Sequence, residues 1–339
     1  MDIKKNHSLK NYNSFGIEVK SRYFCQIKNN EQIQALLEWY DNTNIPLLLL
    51  GGGSNILFKQ DYQGMIAVIE TKGIEIIEED QKYTYIKVAA GENWHQFVRW
   101  CVENNYAGLE NLSLIPGTVG AAPMQNIGAY GVELADHLYQ LEAIELCSGK
   151  IKNFTQQQCR FAYRDSFFKS TAFGQYLIQS IIIRSPKKPQ WKIDYAGIKD
   201  TLKGQEINAK NISNSIIALR QSKLPDPAII GNAGSFFKNP LLNEKKYQAL
   251  KQQHPTLPSY PQANGLIKTS AAWLIDQCGW KGKRKGNAGV YQKHALVLIN
   301  YGNATGQEII ELANDIIKSV EDKFGIKLEA EPRIIKALL

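Results

Sequence analysis

The feature that most constrains the fold is a run of four leucines, Leu47–Leu50, that leads directly into Gly51-Gly52-Gly53-Ser54-Asn55. The apolar run predicts a buried strand, and the glycine turn after it can offer backbone N–H groups to a pyrophosphate. The spacing matches neither GxGxxG nor a P-loop, because Ile56-Leu57-Phe58 follows where a helix or Gly-Lys-Ser/Thr would stand. A plain hairpin turn is the alternative. Three consecutive glycines cost conformational entropy that such a turn does not require, so the pattern favours phosphate binding.

A second glycine-rich stretch, residues 114–131, contains four glycines and almost no charge. It cannot build a core by itself, and it suits a backbone laid flat against an extended, largely apolar cofactor. The two stretches, which lack acidic metal ligands, together predict a dinucleotide bound outside the Rossmann mode.

A third segment, residues 231–240, presents one hydroxyl, Ser235, between small residues and the aromatic pair Phe236 and Phe237. Glycines here allow close backbone approach or a positive φ, and the aromatics can anchor the turn. Taken alone, the segment is equally compatible with an ordinary turn that enters a strand.

Composition limits the class of protein. With 339 residues, 44% of them hydrophobic, the chain can bury two or three cores. No apolar run approaches the roughly 18–20 residues of a membrane span, and the N-terminus lacks a signal-peptide core, which predicts a cytoplasmic protein. The five scattered cysteines never show CxxC spacing and the histidines show no HExxH motif, so no metal site is expected.

The net charge of +8 fits either a nucleic acid or a small polyanionic substrate as partner. The densest basic patch, residues 281–286, is short and has no interleaved aromatics, so a solvated loop is the favoured interpretation.

Periodicity predicts sheets interleaved with a few helices, an α+β or mixed α/β protein. Three amphipathic helices are expected, around Ile33–Tyr40, around Trp94–Cys101, and from a Thr305/Glu308 capping box to Gly325. Strands are expected at Ile45–Leu50, Met65–Glu70, Tyr83–Ala89, Gln140–Cys147, Tyr176–Arg184, Ala295–Asn300 and Ile326–Glu331.

Seven segments, in order along nearly the whole chain, carry a family resemblance. They are Asn13–Gly16, Gly51–Asn55, Ile115–Ala122, Gln125–Gly131, Tyr163–Lys169, Gly231–Pro240 and Glu331–Arg333. On these segments the chain resembles the UDP-N-acetylenolpyruvoylglucosamine reductase (MurB) family, flavoenzymes of peptidoglycan precursor synthesis.

The resemblance implies an α+β protein with an FAD-binding fold of the PCMH/vanillyl-alcohol-oxidase type in two subdomains, followed by a smaller α+β substrate-binding domain. The implied boundaries are 1–70 with 325–339, 71–218, and 219–324. It also implies a small-molecule substrate, UDP-N-acetylglucosamine enolpyruvate, with no nucleic-acid or membrane partner, and a monomer. The cofactor would be FAD, with NADPH as the reductant. The residues expected to hold FAD are Gly51, Gly52, Gly53, Ser54, Asn55, Pro116, Gly117, Gly120, Ala121, Gln125, Asn126, Gly128, Ala129, Tyr130 and Arg333.

The implied chemistry passes a hydride from flavin N5 to the vinyl carbon and leaves an enolate that even the weakly acidic Ser235 hydroxyl can protonate at C2. Arg164 would bind the substrate carboxylate and stabilise the enolate charge. Glu331 would polarise or protonate the same carbons, and a raised pKa would be needed for donation. The implied substrate contacts are Tyr163, Tyr195 (as a closing lid within Lys192–Gly197), Arg220, Lys223, Asn239, Tyr260 and Lys281.

Each of these residues also has a structural interpretation when taken singly. Arg164 can pair locally with Asp165, Tyr163 and Tyr260 can be core aromatics with a solvated hydroxyl, and Glu331 can be an exposed strand residue. At the level of function, the alternatives are another FAD oxidoreductase of the same fold, such as an alcohol or sugar oxidase, and a basic nucleotide- or nucleic-acid-binding protein. Neither glycine loop contains a Cys or His positioned for a covalent flavin.

Overall fold

The computed structural model describes residues 1–195, 197–262 and 264–336. Its helices are α1 (Asn30–Asp41), α2 (Trp94–Glu103), α3 (Leu134–His137), α4 (Ile198–Thr201), α5 (Ala209–Lys223), α6 (Glu244–Gln253), α7 (Ala271–Gln277) and α8 (Gly306–Phe324). Short 3-10 helices cover Lys10–Tyr12, Glu110–Leu112 and Val119–Gln125.

The strands, in chain order, are β1 (Lys4–Ser8), β2 (Lys20–Ile27), β3 (Leu47–Leu50), β4 (Ile56–Phe58), β5 (Tyr62–Ile69), β6 (Ile74–Glu79), β7 (Tyr83–Ala89), β8 (Gly128–Ala129), β9 (Val132–Glu133), β10 (Leu138–Glu145), β11 (Ile151–Thr155), β12 (Tyr176–Pro186), β13 (Gly231–Ser235), β14 (Leu241–Leu242), β15 (Tyr260–Pro261), β16 (Ile267–Lys268), β17 (Arg284–Lys285), β18 (Ala288–Val290), β19 (Val297–Asn300) and β20 (Arg333–Ile335).

The chain forms two compact units. Unit 1 consists of residues 1–7, 21–53 and 63–222, and unit 2 consists of residues 8–20, 54–62 and the chain from residue 223 onward. The boundary between Ser222 and Lys223 lies close to the expected start of a substrate-binding domain at residue 219. The finer division into two FAD-binding subdomains stays a prediction.

Unit 1 contains two larger sheets and the two-stranded pair β8-β9. The first has the order β1-β2-β5-β3, and β3 pairs with β5 in parallel, Leu47 opposite Met65. The second is antiparallel, in the order β11-β10-β12-β7-β6. Helix α1 contributes buried Ile33, Leu36 and Leu37 to the core of the first sheet, and α2 contributes to that of the second.

The two amphipathic helices of unit 1 begin where the sequence predicts. Asn29 and Asn93 accept hydrogen bonds from the N–H groups of Gln32 and Gln96, both at 3.0 Å, so each asparagine caps its helix. Their apolar faces then bury against the sheets, which is where most helix stability arises.

Unit 2 combines the antiparallel sheet β13-β19-β18-β17, a three-stranded sheet β14-β16-β15, and a parallel pair of β4 with β20. Helix α8 packs on α7, β18 and β19. Its predicted capping box is confirmed, because the Thr305 N–H donates to Glu308 at 2.8 Å and the Glu308 N–H donates to Thr305 at 3.2 Å. Gly325 closes the helix in the left-handed conformation, with φ of 61°.

One predicted strand is wrong. The segment Ile326–Glu331 alternates buried and exposed residues but pairs only at Ala330, which bridges Phe237. The regular strand begins at Arg333 and pairs with β4 in parallel. The alternating pattern predicted correctly which residues are buried. A regular strand also needs a neighbouring segment whose backbone groups can pair with it along its whole length.

Candidate functional site

In unit 1, the two glycine-rich stretches pack against each other through their main chains. A Cβ added at Gly51 would overlap the Thr118 hydroxyl, and one at Gly52 would come within 2.9 Å of the Gly117 Cα. Gly120 is packed as closely on Ala90, and its N–H donates to the Ala90 carbonyl at 2.8 Å. Gly52 is therefore required by the close approach of two backbones, whereas Gly51 and Gly120 leave room for the side chains of Thr118 and Ala90.

The sequence suggested that the backbone of the second stretch lies flat, but not all of it does. Its middle part, Val119–Gln125, is a 3-10 helix, and the chain then turns through left-handed residues at Asn126 and Tyr130, with φ of 46° and 51°. The Asn126 side chain is buried and bonds to Glu133 at 2.6 Å and to the Ala135 N–H at 2.9 Å. The Asn126 side chain therefore holds the shape of the loop.

These residues fit a dinucleotide. The backbones of the two stretches approach each other at Gly52 and Gly117, where no side chain intervenes. Gly53 has a φ of 61°. Consecutive backbone N–H groups in such turns form the kind of concave anion site that suits the pyrophosphate of FAD. Ser54 and Asn55 of the same turn belong to unit 2, where the Arg333 N–H donates to the Asn55 carbonyl at 3.0 Å and burial lowers the Arg333 pKa.

Unit 1 also contains a pair of neighbouring arginines beside this loop. Arg164 has a φ of 56°, and its Nη2 donates to the Gly128 carbonyl at 2.8 Å, while its guanidinium lies 5.6 Å from the Tyr163 ring. Burial lowers the pKa of Arg220; Tyr130 opposes that shift and the Arg164 charge adds to it. The Arg220 Nε is buried without a hydrogen-bond partner among the residues that the structure describes. Two adjacent cations of this kind attract a polyanion.

The tyrosine predicted as a lid lies close to the same cluster. Tyr195 is 53% exposed and meets the Tyr130 ring edge-on, with centroids 5.2 Å apart. Ala196, in the same predicted segment Lys192–Gly197, lies outside the described residues.

In unit 2, Ser235 ends strand β13, opposite Val297 of β19. A Cβ at Gly231 would overlap the Phe15 carbonyl, and Gly234 has a φ of 67°. Phe236 and Phe237 are both 1% exposed, so the aromatics anchor the segment as predicted. The glycines are used both for close approach and for positive φ.

Glu331 is held next to this strand. Its N–H donates to the Phe236 carbonyl at 2.8 Å, and the Lys238 N–H donates to the Glu329 carbonyl at 2.9 Å. Glu331 is only 9% exposed, which excludes the alternative of an exposed strand residue. The structure thus brings Ser235 and Glu331 into adjoining backbone segments although 96 positions separate them in the sequence, the difference between 331 and 235.

The remaining predicted substrate contacts of unit 2 are more exposed. Lys223 and Lys281 both lower the pKa of His294, after the larger effect of burial, so these three groups are neighbours. Tyr260 is 47% exposed on β15, which excludes a core position. The Asn239 Oδ1 accepts the Ala271 N–H at the start of α7, at 3.0 Å.

Two neighbours of the site were not singled out by sequence reasoning. His294 lies beside Lys223 and Lys281, and its Nδ1 accepts the Leu296 N–H at 3.3 Å. Lys169 donates to the Arg164 carbonyl at 3.1 Å. The only signal for Lys169 was its place at the end of the segment Tyr163–Lys169. His294 stands where the family resemblance implies an amide side chain in some relatives, and it was therefore left out of the predicted site.

Neither a metal-ion cluster nor a membrane-spanning helix is present within residues 1–195, 197–262 and 264–336. No cluster of three or more His, Cys, Asp or Glu side chains there is arranged to hold a metal ion. No helix in those ranges has the length and apolar character needed to cross a membrane.

Fold and site together define an FAD-binding oxidoreductase. Residues 21–155 match the FAD binding domain family model, and residues 225–335 match the model of the UDP-N-acetylenolpyruvoylglucosamine reductase C-terminal domain.

Similarity to curated proteins identifies the enzyme family. It is 46% identical to the UDP-N-acetylenolpyruvoylglucosamine reductase of Amoebophilus asiaticus, over 99% of this chain and 100% of the relative. It is 45% identical to that of Flavobacterium johnsoniae, over 99% and 100%. The chain therefore belongs to the UDP-N-acetylenolpyruvoylglucosamine reductase family.

A solved structure shows the same fold. The crystal structure of the MurB reductase from Thermus caldophilus matches with a TM-score of 0.68 at 22% identity, covering 99% of this chain and 100% of that chain. The expected α+β fold of the PCMH/vanillyl-alcohol-oxidase type is thereby confirmed.

Proposed function

We propose that this chain reduces UDP-N-acetylglucosamine enolpyruvate to UDP-N-acetylmuramate, with NADPH as the reductant, in cytoplasmic peptidoglycan precursor synthesis. The chain would act as a monomer, without nucleic-acid or membrane partners. The observation that carries the proposal is the backbone pairing of Glu331 with Phe236, which sets Glu331 beside the Ser235 segment. The family name of its full-length relatives supports the substrate.

When bound and reduced by NADPH, FAD would supply the hydride that is added to the vinyl carbon of the substrate. The Gly51–Gly53 turn and the loop that runs from Pro116 to Tyr130 would hold the cofactor, together with Ser54, Asn55 and Arg333. Their main-chain donors suit its pyrophosphate, because a concave set of N–H groups binds an anion without needing a countercharge.

Ser235 would supply the proton. Addition of hydride to the vinyl carbon leaves the electron pair of the double bond at C2, as an enolate conjugated with the carboxylate. The Ser235 O–H bond breaks as the new C2–H bond forms, and the alkoxide is reprotonated from solvent. An enolate of this kind is far more basic than a carboxylate, so a hydroxyl suffices as the acid.

Charged side chains would stabilise the negative charge that accumulates in this step. The planar fork of Arg164 would bind the substrate carboxylate, whose charge grows in the enolate, and Glu331 would polarise or protonate the same region. Arg220, Lys223 and Lys281 would bind the diphosphate and pyruvyl side of the substrate. Tyr163, Tyr195, Asn239 and Tyr260 would complete the contacts.

Anaerobic stopped-flow measurement of the two half-reactions tests the proposal. In Ser235→Ala, NADPH should reduce the flavin at nearly the wild-type rate, while reoxidation by the enolpyruvyl substrate should slow by roughly 10²- to 10⁴-fold, the usual contribution of a general acid. Ser259→Ala, a change at an exposed serine of the same unit, should alter neither half-reaction. Equal loss of both half-reactions in Ser235→Ala would contradict the role of Ser235, and a wild-type protein that the substrate does not reoxidise would refute the proposed function.

A further inference from the structure

Lys169 contacts both ends of the site in unit 1 without belonging to either predicted set of ligand contacts. Its ammonium donates to the Arg164 carbonyl at 3.1 Å and to the Gln125 side-chain oxygen at 3.3 Å. Gln125 is the last residue of the 3-10 helix in the second glycine-rich stretch. One cation therefore joins the predicted cofactor loop to the turn that carries Arg164.

The main chain of Arg164 needs such support. Its φ of 56° is left-handed, a conformation that is unfavourable for a non-glycine residue. A charged donor on the carbonyl of that residue stabilises the unusual peptide orientation, because hydrogen bonds to charged groups are stronger than neutral ones.

The Arg164 side chain is tied to the same loop. Its Nη2 donates to the Gly128 carbonyl at 2.8 Å, and Ser166, two residues further on, donates through Oγ to the Met124 carbonyl at 2.7 Å. Arg164 is therefore held at its guanidinium by the Gly128 carbonyl and at its own carbonyl by the Lys169 ammonium. Ala162 and Asp165 close this turn by exchanging backbone hydrogen bonds at 3.1 and 3.2 Å, so the Lys169 contact adds to an existing hold on the peptide that follows Arg164.

We propose that Lys169 is a positioning residue that acts through Arg164. Lys169 restricts the left-handed Arg164 backbone further than the turn alone does, and so keeps the guanidinium aimed at the substrate carboxylate. The inference rests on the proposed function, because it needs Arg164 to bind that carboxylate. It predicts that the effect of Lys169 disappears when the Arg164 guanidinium is absent.

A double-mutant cycle on the holoenzyme tests this coupling. The variants are Lys169→Met, Arg164→Gln and the double variant, with Lys152→Met as the matched control, since Lys152 is a half-exposed lysine of unit 1 that pairs with Glu145 instead. The measurements are flavin reoxidation by the enolpyruvyl substrate, flavin reduction by NADPH, FAD affinity, thermal unfolding, and calorimetric binding of UDP-N-acetylmuramate to the oxidised enzyme.

In the wild-type background, Lys169→Met should weaken product binding and slow reoxidation by roughly 10-fold or more, the scale of a lost charge-assisted hydrogen bond. In the Arg164→Gln background the same change should have an effect of less than about 2-fold, since coupled residues are not additive. NADPH reduction and FAD affinity should stay within about 3-fold of wild type, and Lys152→Met should match wild type throughout.

Additive effects of the two substitutions would overturn the proposal. Equal losses in both half-reactions, together with a loss of FAD affinity, would also overturn it, because Lys169 would then serve to stabilise the cofactor loop. If Lys169→Met does not fold, Lys169→Gln takes its place in the cycle, since its amide can still reach one of the two acceptors. Failure of the proposed function is distinguishable, because the wild-type flavin would then not be reoxidised by the substrate at all.

Discussion

Replacing Gly51 by alanine tests whether the two glycine-rich stretches must touch for FAD to bind. The added Cβ would overlap the Thr118 hydroxyl, whereas its next neighbours would be the Ala121 Cβ at 3.2 Å and the Thr118 Cβ at 3.4 Å. Removal of the hydroxyl alone would therefore leave only tight van der Waals contacts.

The size of the effect follows from the overlap. Overpacking in a close-packed region costs about 1–3 kcal/mol. If that cost falls on the loop arrangement that binds the cofactor, FAD should bind Gly51→Ala roughly 5- to 150-fold more weakly, since about 1.4 kcal/mol corresponds to tenfold. In Gly51→Ala/Thr118→Ala the overlapping atom is gone, and most of the affinity should return.

The assay is a fluorescence titration of the apoprotein with FAD, accompanied by thermal unfolding. Gly174→Ala is the control, because Gly174 has a φ of 72° and nothing within 4 Å of the added Cβ. It should lose about 1 kcal/mol of stability from its left-handed backbone and keep its FAD affinity. Wild-type FAD affinity in Gly51→Ala, or no recovery in the double variant, would refute the argument.

Two further predictions concern stability. Gly231→Ala places a Cβ against the Phe15 carbonyl, so it should lower the melting temperature more than Gly234→Ala does. The Cβ added at Gly234 has no neighbour within 4 Å, although the residue has a φ of 67°. The reverse order in thermal unfolding would contradict the close approach of Gly231 to Phe15. Burial lowers the pKa of His137 against an opposing hydrogen bond with the Arg184 carbonyl, so the unfolded chain takes up a proton below pH about 6.5 before the folded one does. The free energy of unfolding should therefore fall as the pH falls through that value, and urea titrations of His137→Gln should show a shallower dependence.

Much of the fold could be predicted because its signals are local. The capping box at Thr305 and Glu308, the apolar faces of α1 and α2, and the strand at Leu47–Leu50 each depend on residues a few positions apart. The segment Ile326–Glu331 shows the limit, because its alternation is local, whereas its pairing is confined to one bridge with Phe237, a residue far away in the sequence.

The candidate site divides in the same way. The residue types, their order along the chain and the glycine turns were legible in the sequence, and they sufficed for an FAD enzyme of this family. The sequence could not predict which glycine contacts which backbone segment, because Gly52 and Gly117 are far apart in the chain.

Short-range spacing in the sequence predicted an α+β protein and a dinucleotide outside the Rossmann mode, and the seven segments shared with the family implied FAD and a role for the Ser235 hydroxyl. Only the tertiary structure decided that Glu331 is buried beside the Ser235 strand and that Lys169 holds the Arg164 backbone. The physical reason is that such contacts are set by packing and by long-range hydrogen bonding. Neither leaves a periodic trace in the chain.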